Sequence, residues 1–86
     1  MIKQNLDLNQ LLDLSDKALK NKDYVTAKKI LEKVILTNKD IPEVYNNLGI
    51  ICLNSKNIKA SINYFDQAIK LNPKFSMAYC NLGLAY

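Results

Sequence analysis

The chain has no histidine, no arginine and no tryptophan, and only two each of cysteine, glycine and proline among its 86 residues. Without histidine there is no ordinary Ser/His/Asp or Cys/His apparatus, no imidazole zinc site and no general acid or base that titrates near neutral pH. Lacking arginine, it also has no planar fork for bidentate recognition of phosphate or carboxylate. Cys52 and Cys80 cannot build a disulfide framework of the secreted kind, and no Cys or His cluster has metal-ligand spacing. No catalytic residue, metal or cofactor is therefore expected. The scarcity of glycine and proline beside 49% apolar residues argues against a disordered or low-complexity chain.

Long apolar runs are missing too. None approaches the roughly 18 residues of a membrane span. The segment Met1-Ile2-Lys3-Gln4-Asn5-Leu6-Asp7 has neither the apolar core nor the small-residue cleavage site of a secretory signal. A soluble, cytoplasmic protein without membrane insertion is the expectation. The net charge of +4 raises nucleic acid as a partner, but the charge is poorly segregated. All twelve basic residues are lysine. Seven of them share residues 8–41 with five acids, and four share residues 42–75 with two, so no basic stripe forms. Nucleic acid is not expected as a partner.

What the chain does have is repetition. At a shift of 34, Tyr45-Asn46-Asn47-Leu48-Gly49 becomes Tyr79-Cys80-Asn81-Leu82-Gly83, four of five residues identical. In the other direction Leu48, Leu53, Lys56, Ile69 and Asn72 fall on Leu14, Leu19, Lys22, Ile35 and Asn38. Ala27, Leu31 and Val34 align with Ser61, Phe65 and Ala68, so small and large residues keep their places.

On a helical wheel Tyr45, Leu48, Gly49 and Cys52 fall within about 100 degrees of arc, a stripe that must face another helix. Ser61, Phe65, Ala68 and Ile69 form the matching stripe. A glycine within a helix costs up to about 1 kcal/mol relative to alanine, so Gly49 marks a place where two helices approach too closely for a side chain. Ser15 and Gly83 hold the equivalent places. Cys52 lies on this stripe and is read as a small buried hydrophobe, and most of the five tyrosines are read as packing residues. Polar turns at 21–23 and 54–57, with Asp23 and Asn57 as caps, separate the helices. Pro73 blocks continuation, with Ser76 as candidate N-cap and Phe75 and Cys80 placed like a hydrophobic staple. Helices are predicted at 9–20, 24–36, 42–54, 58–71 and 76–86, with no strand.

This pattern resembles the tetratricopeptide repeat, in which W-x2-L-G-x2-Y, then A-x3-F, then P recurs every 34 residues. The central copy reads Tyr45-x2-Leu48-Gly49-x2-Cys52, Ser61-x3-Phe65, Pro73. The third reads Tyr79-x2-Leu82-Gly83-x2-Tyr86, and the first Leu11-x2-Leu14-Ser15-x2-Ala18, Ala27-x3-Leu31, with Lys39 in place of proline. The resemblance covers residues 8–86 and implies an all-α solenoid of antiparallel helix hairpins, a right-handed superhelix. The organisation expected is a lead at 1–7, repeats at 8–41 and 42–75, and the first helix of an incomplete repeat at 76–86.

On the same wheel Val44 and Ile51 suit packing on the preceding repeat, and Glu43, Asn46, Asn47, Ile50 and Asn54 cover the remainder. The resemblance implies that this remaining face of each first helix lines a concave groove for an extended peptide. The candidate groove residues are Leu12, Asp13, Asp16, Asn46, Asn47, Ile50, Asn54, Cys80, Asn81 and Leu84. Asn47 and Asn81 occupy the same repeat place. Each amide can donate to a backbone carbonyl and accept from a backbone N–H, as in the glycosyltransferase branch of the family. The alternative is that they bond to neighbouring repeats or to water. The clamp that holds acidic chaperone tails is missing, because its places carry Leu12, Asp16, Met77 and Asn81.

The leading functional reading is a non-catalytic scaffold for a protein or peptide. Next comes an N-terminal targeting or substrate-binding module of a larger enzyme such as a transferase. A helical-repeat RNA binder ranks last, because arginine is absent and the Leu-Gly pair recurs every 34 residues. Tyr79, Leu82 and Tyr86 lie on the stripe that a partner helix should cover, so self-association through the C-terminal helix is also expected.

Overall fold

The computed structural model describes residues 6–86, which fall into two compact units, one ending at Thr37 and the other spanning Asn38–Tyr86. The five expected helices form: α1 (Leu8–Lys20), α2 (Tyr24–Thr37), α3 (Pro42–Asn54), α4 (Ile58–Leu71) and α5 (Ser76–Ala85). No strand occurs among the described residues, and the chain is an all-α helical-repeat protein.

Short polar segments set the helix ends. Asp7 starts α1 one residue earlier than expected through a capping box: its carboxylate accepts from the Gln10 N–H at 2.8 Å, and the Gln10 side chain accepts from the Asp7 N–H at 2.9 Å. The α1–α2 and α3–α4 turns share one construction. The Asp23 N–H donates to the Ala18 carbonyl at 2.8 Å and the Lys22 N–H to Leu19 at 3.0 Å. Asn57 to Cys52 at 2.8 Å and Lys56 to Leu53 at 3.1 Å repeat the pattern. Both are Schellman closures, and both place a lysine in the left-handed region, Lys22 at φ 59° and Lys56 at φ 63°.

The residue that completes each closure also caps the next helix, as the polar pattern predicts. Asp23 accepts from the Thr26 N–H at 3.2 Å and Asn57 from the Ala60 N–H at 3.4 Å. Hydrogen bonding from Thr26, by side chain and then by backbone, holds the Asp23 carboxyl below its usual value. Ser76 does not take the expected capping role. The Asn72 side chain accepts from the Lys74 N–H at 3.1 Å and its carbonyl from the Phe75 N–H at 3.0 Å, a turn that leaves Phe75 as N-cap and Ser76 already helical. With the cap shifted by one residue, the staple between Phe75 and Cys80 loses its register.

In the first unit α1 packs on α2, with Ser15 and Ala18 buried on one helix and Ala27, Leu31 and Val34 on the other. The Ser15 hydroxyl donates to the Leu12 carbonyl at 2.8 Å, which satisfies it inside the core. In the second unit α3 packs on α4 through Leu48, Gly49 and Cys52 against Ser61, Phe65 and Ala68. A methyl group added at Gly49 would lie 2.6 Å from Cδ1 and 2.8 Å from Cζ of Phe65, closer still to Cε1. Glycine is the residue that lets the ring touch the backbone of α3. Tyr45 stacks on Tyr64, with centroids 6.4 Å apart at 30°, and its hydroxyl donates to the Lys39 carbonyl at 2.9 Å.

Helix α5 packs on α3 and α4 with Ala78 and Ala85 buried. Its aromatic stripe is not part of that contact: Tyr79 and Tyr86 are 49% and 84% exposed, and Leu82 is half-buried. Only Tyr45 of the five tyrosines is buried, so the expectation that most of them pack holds less widely than the wheel implies. Cys52 is buried as expected, and Cys80 is exposed.

A lysine in the left-handed region carries a steric penalty that glycine escapes. Lys22→Gly and Lys56→Gly are each expected to raise stability by about 0.5–1 kcal/mol, less the unfolded-state entropy that glycine adds. Urea unfolding followed by circular dichroism measures this directly, and the same substitution at exposed Lys59 should destabilise.

Candidate functional site

The candidate residues lie on the first helix of each repeat. In the first unit Leu12 is half-buried on α1, and Asp13 and Asp16 are exposed. Beside them is a feature that sequence reasoning missed, an apolar recess of about 360 Å³ lined by Leu6, Leu11, Leu14 and Ile30 with Lys29 and Lys33 at its edge. The signal for it is in the spacing of Leu11 and Leu14, which the repeat pattern alone does not separate into buried and open positions. Leu14 is 41% exposed.

In the second unit α3 and α5 are in contact. Val44 and Ile51 are buried, at 0% and 3% exposure, so neither belongs to an open face. Asn54 is exposed and its amide donates to the Ile50 carbonyl at 3.0 Å, a local bond one turn back. Asn47 and Ile50 are half-buried, Cys80 is exposed, and Leu84 is 74% exposed.

Asn46 is placed differently from the open groove position expected for it. It is 2% exposed, and its Oδ1 accepts from the Nδ2 of Asn81 at 3.0 Å. The wheel puts Asn46 at the edge of the open face, and α5 packs along that edge. One consequence concerns the pair of equivalent asparagines. Asn81 spends one donor on Asn46, which is the neighbouring-repeat bond, whereas the Asn47 amide makes no hydrogen bond within the described residues. Among the described residues every buried side-chain nitrogen or oxygen has a partner.

The charge on these faces is sparse. Helices α3 and α5 together contain one charged residue, Glu43, so the surface they share has no cation for an anionic ligand. Among the described residues no group of His, Cys, Asp or Glu could hold a metal ion, and no helix is long and apolar enough to cross a membrane.

The helix pairs, the Gly49–Phe65 seat and the repeated turns converge with two comparisons. The model of the tetratricopeptide repeat matches residues 42–75. The chain is 33% identical over 81 residues to the tetratricopeptide repeat domain-containing protein PYG7, a chloroplastic protein of Arabidopsis thaliana. The chain belongs to the tetratricopeptide-repeat family. The alignment takes in 90% of the chain but only 27% of PYG7, so the chain spans about a quarter of that relative's length. Tetratricopeptide repeats mediate protein–protein interaction. In this tetratricopeptide-repeat chain α3 and α5 are joined by the Asn46–Asn81 hydrogen bond between side-chain amides as well as by apolar contact.

Truncating one partner of that bond strands the other. Asn81→Ala is expected to cost about 1–3 kcal/mol by leaving the buried Asn46 carbonyl unpaired. The double variant Asn46→Leu, Asn81→Leu should recover most of that loss. Both effects can be read from denaturant midpoints.

Proposed function

We propose that the chain is a non-catalytic interaction module, and that the open face of α3 with the adjoining face of α5 holds an extended, weakly charged segment of a partner protein. The observation that carries this reading is the Asn47 amide. It is half-buried and has no hydrogen-bond partner among the described residues, so its donors and its acceptor can serve a ligand backbone. Asn81 adds its carbonyl oxygen, since its bond to Asn46 uses only Nδ2.

Around these amides lie Ile50, Met77 at 61% exposure and Leu84 at 74%, which suit apolar side chains of the bound segment. An amide ladder recognises backbone, and the apolar positions select side chains. The scarcity of charge sets the ligand class. A carboxylate-rich tail would be desolvated against α3 and α5 with no lysine or arginine to receive it, and Glu43 would repel it. A neutral or mildly basic segment with spaced apolar residues suits the face.

The test uses peptides selected from a displayed random library against the chain, with affinities measured by fluorescence anisotropy. Asn47→Ala and Ile50→Lys should each weaken the selected peptides about tenfold or more, in line with losing a buried amide contact or burying an unpaired charge. Lys59→Ala should leave them unchanged. Selected peptides that are strongly acidic, or that bind equally to all three variants, would contradict the assignment.

A further inference from the structure

The second unit has a recess that shares no residue with the peptide face of α3 and α5. It measures about 200 Å³, and its walls are Lys39, Tyr45, Gln67, Lys70 and Leu71. Lys39 comes from the linker that enters α3, Tyr45 from the start of α3, and the other three from the C-terminal end of α4. The chain continues past both walls, into α3 and into α5. Tyr45 and Leu71 give the recess an apolar floor. The Tyr45 hydroxyl donates to the Lys39 carbonyl at 2.9 Å, which pins the root of the Lys39 side chain at the rim. Gln67 and Lys70, three residues apart, share one face of α4.

The charge here is one-sided. No acid lines the recess, and neither lysine makes an ion pair or a side-chain hydrogen bond among the described residues. Their neighbours in sequence and on the helix, Asp40 and Asp66, are exposed and lie outside the wall. The fold requires neither lysine, because at the 34-residue shift Lys39 falls on Pro73 and Lys70 on Leu36.

We infer that this recess takes one apolar side chain of a partner protein that has an acidic residue two places before it and another two places after it. Volume sets the first part. A recess of about 200 Å³ is smaller than the roughly 300–1,000 Å³ of small-molecule sites and suits a single side chain. Charge sets the second part. Two cations reach the rim from different elements, so one carboxylate would leave the other lysine unserved. In an extended segment residues two apart point to the same side, which directs both acids towards the surface that receives the apolar residue. The ion pairs stay in water, so each contributes little and weakens with salt. The dissociation constant should be on the order of 1 mM at low salt. Binding this weak falls below what a displayed library recovers, so the recess does not compete with selection on the α3–α5 face.

Amide chemical shifts of the 86-residue chain, followed by NMR during titration with the blocked pentapeptide Glu-Ser-Leu-Ser-Glu to about 10 mM, test the site. Shifts should centre on Lys39, Tyr45, Lys70 and Leu71. Lys39→Gln and Lys70→Gln should each weaken binding about threefold, as loss of an exposed ion pair does, while Lys59→Gln at the other end of α4 leaves it unchanged. The peptides Gln-Ser-Leu-Ser-Gln and Glu-Ser-Gly-Ser-Glu should both bind more weakly, since each lacks one half of the match. An absence of shifts, shifts centred on Asn47 and Ile50, or equal weakening in Lys59→Gln overturns the proposal. So does equal binding of the neutral peptide, of the glycine peptide, or of acetyl-leucine, which offers one carboxylate on the same side chain.

Discussion

The ring of Phe65 lies against the backbone of α3 at Gly49, and the second unit is arranged around that approach. A side chain at this place would force the two helices apart and strip the ring of contacts on one face. With the ring seated, Leu48 and Phe65 both reach full burial, and Ser61 and Ala68 are small enough to let the rest of α4 follow. The ring also fixes register, since a shift of one residue along α3 would bring it against Leu48 or Ile50. A helix of 13 residues is marginal alone, so α3 depends on this packed face for its existence.

The polar residues solve a different problem with few parts. Each hairpin must close one helix and open the next within three residues, and the backbone groups freed at both ends need partners. Asp23 and Asn57 serve both helices, donating from the main chain to the helix behind and accepting with the side chain from the helix ahead. The lysines at φ 59° and 63° show that the closure outweighs a local steric penalty in both hairpins. Between α3 and α5 the Asn46–Asn81 hydrogen bond adds a directional contact to an interface that buries Ala78 and Ala85, because a buried amide tolerates only a register in which it is paired.

Most of the fold was legible in the sequence because a repeat states each packing rule more than once. The shift of 34 aligned glycine with glycine and large residues with large residues, and helix ends fell within one residue of expectation. Misreadings arose where a single residue decided between neighbouring states. Ser76 is a strong capping residue by type, yet the turn at Asn72–Phe75 had already set the helix start one residue earlier. Asn46 lies at the edge of the open face on a wheel, and a wheel drawn for one helix has no information about where the next one packs. The pairing of Asn81 with Asn46 was open in the sequence for the same reason.

The division of labour along α3 follows from these placements: one stripe seats Phe65, one edge meets α5, and the Asn47 amide makes no hydrogen bond among the described residues. All of it presupposes that Gly49 is glycine because of the Phe65 ring. A double-mutant cycle of Gly49→Ala and Phe65→Leu, followed by urea unfolding, measures that dependence. The account predicts that Gly49→Ala costs about 1–3 kcal/mol with phenylalanine in place, as overpacking of a full core does, and less than half as much with leucine. An equal cost in both backgrounds, or a gain in stability from Gly49→Ala alone, would contradict it.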